Sequence, residues 1–275
     1  MLLFTQRKYN ISQHMAFERT SRQAFFGVSA LLFAASTAVT IVWGVSMSTM
    51  DGMPMPGGWS MSMTWMVGQD WPGAALSFLG MWAVMMVAMM MPSLVPMLFR
   101  YRHAIATKEN THKGWLTVLV GAAYFFVWTV FGIAVFPLGV ALATAEMQQP
   151  ALSRAVPIAI GVAVLLAGVL QFTPWKVQQL ACCRQAAGCN GVLPASPRAA
   201  WLQGLRFGVH CVQCCFGLIM ILLVIGVMDL RAMAIVAAAI TAERLAPAGV
   251  HVAKITGIVA IGAGLFLIVR AAEGV

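Results

Sequence analysis

The sequence predicts an all-α fold: a polytopic transmembrane bundle of six or seven helices. Three observations predict it. Of 275 residues, 61% are hydrophobic and only 9% are charged, where a soluble domain carries about a quarter charged residues. The apolar residues fall in uncharged runs long enough to cross about 30 Å of hydrocarbon as helices. Those runs are continuous rather than alternating, which argues against a β-barrel.

The formal net charge is +9. The basic residues sit in short segments beside apolar runs, where they set membrane orientation. They therefore point to a lipid bilayer as the surrounding partner and not to nucleic acid. The organisation read from this is a cytoplasmic segment over 1–24 and a single transmembrane domain over 25–275. The location implied is a bacterial inner (cytoplasmic) membrane, crossed several times, with the N-terminus in the cytoplasm.

The elements follow in order. Residues 1–24 carry Arg7, Lys8, Arg19 and Arg22. A first span covers about 25–45; it is longer than a signal-peptide core and no small-residue cleavage site follows. An outer loop, 46–73, holds Asp51 and Asp70 but no Lys or Arg, and its Gly and Pro residues oppose regular structure. The second span, about 74–99, contains Pro92 and Pro96, expected to bend its inner end. Arg100, Arg102, Lys108 and Lys113 mark a cytoplasmic loop. Spans at about 116–141 and 156–172 follow. A second cytoplasmic loop carries Lys176, Arg184 and Arg198. The fifth span runs from about 204 to 227. Asp229 and Arg231 then pair with each other or cap a helix break, and a turn with a short sixth helix fits better than a continued fifth one. Glu243, Arg244, His251 and Lys254 are read as a cytoplasmic loop, with Glu243 and Arg244 at an interface. The last span is about 255–269.

The strongest chemical signal is His210-Cys211-Val212-Gln213-Cys214-Cys215. At about 100° per residue, His210, Cys211, Cys214 and Cys215 cover an arc of roughly 140°, so they share one side of the fifth helix. Thiolates and imidazole suit zinc and copper, and copper(I) favours sulfur. The alternative is that each Cys packs as a small hydrophobe. A second signal is the methionine stripe Met81, Met85 and Met89, joined by Met86, Met90 and Met91, in a chain with 20 Met. Met stripes also serve as adaptable packing. At 1.5 Å per residue, Cys211–Cys215 lie roughly 10–16 Å inside the membrane, about level with Met89–Met91. A metal centre of His210, Cys211, Cys214, Cys215, Met85, Met89 and Met90 follows if the two helices are neighbours.

Two further groups carry soft donors. The outer loop holds Met47, Met50, Met53, Met55, Met61 and Met63. Thioethers bind copper(I) without losing a proton, which suits an oxidising compartment, and the spacing resembles the Met motifs of extracytoplasmic copper-handling proteins. An apolar loop lying on the membrane surface, helped by Trp59, Trp65 and Trp71, is the other reading. Cys182, Cys183 and Cys189 fall in the second cytoplasmic loop, where a reducing compartment disfavours disulfides and a metal-capturing or thiol-relay role remains.

These residues resemble a bacterial family of predicted metal-binding integral membrane proteins, a domain of unknown function. The resemblance covers roughly 75–270. It rests on Met89-Met90-Met91-Pro92-Ser93, on the run from Gln171 to Lys176, on Cys183-Arg184, on the run from Gly204 to Met220 with its Cys-x-x-Cys-Cys element, and on Ala242-Glu243-Arg244. Where that family has a first loop Cys this chain has Gln179, and where it has an early histidine in the fifth span this chain has Phe207. The resemblance implies metal binding.

Copper is the metal these donors favour, with zinc or another transition metal as the alternative. The function expected is copper handling, by transport or by delivery to a membrane enzyme such as an oxidase complex. Ligand exchange would be the mechanism, so an enzyme is not the first expectation. A membrane thiol oxidoreductase using Cys211, Cys214 and Cys215 is a second reading. An accessory subunit of a larger membrane complex, without metal, is a third.

Overall fold

The computed structural model describes the backbone of residues 2–48, 53–54, 60–61, 71–105, 110–185, 195–227 and 229–273. The fold is an all-α bundle. Its helices are α1 (Leu2–Ser48), α2 (Trp71–Ala104), α3 (Asn110–Gln148), α4 (Pro150–Leu170), α5 (Pro174–Gln185), α6 (Pro197–Ile225), α7 (Leu230–Leu245) and α8 (Gly249–Glu273). Between α1 and α2 a two-rung antiparallel ladder pairs Met53 with Met61 and Pro54 with Ser60.

Among the described residues, five stretches are long and apolar enough to cross a membrane: Arg19–Ser46, Trp71–Ala104, His112–Ala145, Pro197–Ile225 and Gly249–Glu273. Ala155–Leu170 and Pro174–Cys183 pass the same test as a pair bent by 68°. The five fall on expected spans and the bent pair on the fourth, while α7, of 16 residues, is not among them; the described residues hold eight helices against the six or seven expected, because α5 is a helix and not a loop. α1 is continuous through the basic residues and the apolar ones. Pro92 and Pro96 both lie inside α2.

The break after α6 is a turn, not a continued helix. Gly226 has φ +128°, a conformation that side chains with a Cβ resist. Asp229 then caps α7, its Oδ1 accepting from the Arg231 and Ala232 amides at 2.8 and 3.1 Å. Asp229 is thus a cap.

Small residues set the helix spacing. α4 and α8 run antiparallel with Gly161 against Gly264 and Gly168 against Gly257. A Cβ on Gly264 would sit 2.7 Å from the Leu165 amide nitrogen and 2.9 Å from the Gly161 carbonyl. Such backbone approach is how helices associate where lipid removes the hydrophobic drive between them. α3 packs along α6 through Gly204, against Val120 and Ala123, and Gly208, against Tyr124 and Val127. α2 docks on α3 through Trp82, whose Nε1 donates to the Trp128 carbonyl at 2.9 Å. The buried core gathers along the inner faces of α2, α3, α6 and α7, with Leu180 and Cys183 of α5, and is rich in methionine: Met85, Met86, Met89, Met90, Met97 and Met233.

Candidate metal centre

Cys211, Cys214 and Cys215 all point into this core and are at most 2% exposed. The i, i+4 spacing of α6 brings the Cys211 and Cys215 sulfurs to 3.9 Å. From α2, the Met90 Sδ lies 3.9 Å from the Cys211 Sγ. Three sulfur ligands at about 2.3 Å from one ion would stand about 4 Å from one another. Both S···S distances are therefore of the size a trigonal sulfur site needs.

The Cys211 sulfur has two further partners. Tyr124 Oη of α3 is 2.9 Å away. Arg244 of α7 donates to it from Nη1 at 3.1 Å. The same guanidinium donates to Ser93 Oγ at 2.9 Å and reaches Met97 Sδ at 3.6 Å. Ser93 in turn donates to the Met90 carbonyl at 3.0 Å. Arg244 thus ties α7 to the Met-rich helix and to the thiol cluster.

A buried ion pair lies beside it. Lys176 Nζ donates to Glu243 Oε2 at 2.7 Å and to the Cys214 carbonyl at 2.6 Å. Gln171 Nε2 donates to Glu243 Oε1 at 3.1 Å. Lys176 and Glu243 cancel in charge. Arg244 keeps its charge in proteins, and a buried charge is costly unless paired. It faces the thiol cluster.

Cys183 of α5 is buried against α6. Cys215 meets Cys211. Cys183 also donates to the His210 carbonyl at 3.1 Å. Cys182, its neighbour, is exposed, and all five cysteines named here are free.

Several sequence expectations change. Cys182 and Cys183 lie on α5, which packs on α6, because polar residues of this segment find buried partners. Lys176 is not a loop residue marking orientation but half of the buried pair. Glu243 and Arg244 are 1% and 8% exposed, so they belong to the core and not to an interface. The ring of His210 meets Gln179, with Nδ1 3.4 Å from its Oε1. Met85 and Met89 are buried in the same core as Met90, and it is the Met90 sulfur that lies 3.9 Å from the Cys211 sulfur. Among the described residues, no three His, Cys, Asp or Glu side chains converge to hold a metal ion. The side chains of Met47, Met50, Met53, Met55, Met61 and Met63, and Cys189, lie outside the described residues.

Residues 79–267, more than half of the chain, match the model of the PpoB2 copper chaperone family. The chain belongs to the PpoB2 copper chaperone family. No curated protein and no solved structure matches it. The PpoB2 match spans every residue of the cluster, from Met90 and Ser93 through Tyr124, Lys176 and Cys183 to Cys211, Cys215 and Arg244. It supports a role in copper handling.

Proposed function

We propose that the protein is a membrane copper chaperone that holds copper(I) between Cys211, Cys215 and Met90 and delivers it to a membrane enzyme. The observation that carries this reading is the Arg244 guanidinium set against a sulfur whose two sulfur neighbours both stand at 3.9 Å. Copper(I) held by two thiolates and a neutral thioether carries a net charge of −1. Arg244 supplies the matching +1, and Lys176 with Glu243 adds none. The loaded core is then neutral, which matters where the dielectric is low. With Cys211 as a thiolate, Tyr124 Oη, 2.9 Å away, donates to the same sulfur. The methionines favour copper(I) over harder ions.

The apolar helices support insertion in a bilayer. The basic residues at the ends of α2 and α5 support placing those ends in the cytoplasm. In this reading the outer-loop methionines Met47, Met50, Met53, Met55, Met61 and Met63 gather copper on the other face.

Elemental analysis of the detergent-purified chain tests the reading. One copper per chain is expected, and none for the Cys211→Ser/Cys215→Ser double variant. Copper retained by that variant, or absent from the wild-type chain after exposure to copper(I), would sink it.

A further inference from the structure

Arg244 sets a permanent charge against the sulfur site. Its Nη1 donates to Cys211 Sγ at 3.1 Å and to Ser93 Oγ at 2.9 Å, and its Nη2 reaches Met97 Sδ at 3.6 Å. None of these three partners is a carboxylate. Among the described residues, the buried charged side chains are Lys176, Glu243 and Arg244, and the first two are paired with each other at 2.7 Å. An ion bonded to the Cys211 sulfur at about 2.3 Å stands within about 5.5 Å of Arg244 Nη1.

We propose that Arg244 makes the site choose its ion by charge, admitting soft monovalent cations, copper(I) and silver(I), and rejecting thiophilic divalent ones such as zinc(II) and cadmium(II). The inference rests on the sulfur site described above, with Cys211 and Cys215 as thiolates and Met90 as the thioether. Sulfur donors alone do not draw this line, because thiolates take zinc(II) as well as copper(I). A monovalent ion leaves the two-thiolate complex at −1, and Arg244 brings it to zero. A divalent ion leaves the complex neutral, and Arg244 is then a buried charge with nothing to balance it, which is costly. The two loaded states differ by one unit of charge whatever protons the empty thiols carry. The preference is therefore a property of the loaded site alone. Selectivity is a difference of affinities, and the repulsive element that creates it here is the guanidinium. One unit of charge at about 5 Å, with the effective dielectric of about 20 that suits buried sites, corresponds to a preference on the order of a hundredfold.

Competition titrations of the metal-free full chain in detergent test this. Silver(I) and cadmium(II), each buffered by glutathione, form one pair of ions, and copper(I) and zinc(II) the other. Bound metal is read by elemental analysis after desalting. Arg244→Gln should lower the silver-to-cadmium and copper-to-zinc affinity ratios on the order of a hundredfold. Arg244→Lys should hold both ratios near those of the wild-type chain. Ser93 gives the same test with the guanidinium left in place. Ser93→Asp sets a carboxylate against Nη1 and should lower the ratios, whereas Ser93→Asn adds no charge and should not. That pair decides the matter if Arg244→Gln does not fold. A merely structural role for Arg244 would weaken both ions of a pair together and leave the ratios where they were. Unchanged ratios in folded Arg244→Gln or in Ser93→Asp, with silver and copper still bound, overturn selection by charge and leave the sulfur site standing. Equal shifts in Ser93→Asp and Ser93→Asn overturn it too. Neither silver(I) nor copper(I) on the wild-type chain removes the sulfur site and the selection together.

Discussion

Arg244 donates to the thiol of Cys211 across 3.1 Å, from α7, the helix that follows the Gly226 turn after α6. That contact joins a charge to a sulfur in the most buried part of the bundle. It also assigns a purpose to a residue pair, Glu243 and Arg244, whose two members look alike in sequence and serve different partners. Glu243 neutralises Lys176, and Arg244 faces the sulfurs.

Removing the charge should weaken the site without removing a ligand. Arg244→Gln keeps a hydrogen-bond donor but loses the cation. A hydrogen bond to a charged group contributes about 1.5–3 kcal/mol, and about 1.4 kcal/mol is tenfold in affinity. Copper(I) affinity should fall by roughly ten- to a hundredfold in competition with a chromophoric chelator. An unchanged affinity would show that the guanidinium is not the counter-charge.

The choice among methionines can be tested directly. Met90→Leu should lower the sulfur coordination of bound copper from three to two by X-ray absorption. Met85→Leu/Met89→Leu should leave the number at three, since the contact with Cys211 comes from Met90. The opposite pattern would move the thioether ligand one turn along α2.

The buried pair predicts a stability effect with a specific form. Lys176→Met leaves Glu243 buried without its cation, and breaking a buried pair costs about 3–5 kcal/mol. The midpoint of thermal unfolding in detergent should drop clearly. Adding Glu243→Gln to the same chain should recover part of the loss, because the stranded charge is gone. A double variant as unstable as the single one contradicts this account.

Crowding the α4–α8 contact should separate the two helices. Gly264→Val places side-chain atoms against the Leu165 and Gly161 backbone, and overpacking of this kind costs about 1–3 kcal/mol. Folded yield on size-exclusion chromatography should fall. Gly262→Val is the control, since open space surrounds that position.

The spans were legible in the sequence because uncharged runs are long and their ends carry basic residues. α7 was expected because Glu243, Arg244, His251 and Lys254 read as a loop after it, yet Glu243 and Arg244 are buried, and what turns the chain locally is Gly226 and the cap at Asp229. α5 was not, because Lys176 reads as a loop charge and its partner, Glu243, lies far along the chain. The thiol face of α6 followed from spacing alone. Which methionine meets it did not, since Met85, Met89 and Met90 differ only in how α2 rotates against α6. Arg244 was misjudged because a charge near a helix end usually reaches water, and here the guanidinium turns inward to Cys211, Ser93 and Met97 while Leu245 beside it is exposed.

The glycine pairs of α4 and α8 stand seven residues apart on both helices, so they work as a vernier. A slide of one heptad, about 10.5 Å, would keep only one of the two pairs matched. The helices therefore have a single setting at which both gaps close. Gln171 and Lys176 hang just past one end of α4, while Glu243 and Arg244 lie just ahead of the adjoining end of α8. A seam far from any sulfur thus calibrates the height at which the two chain segments carrying the core charges meet.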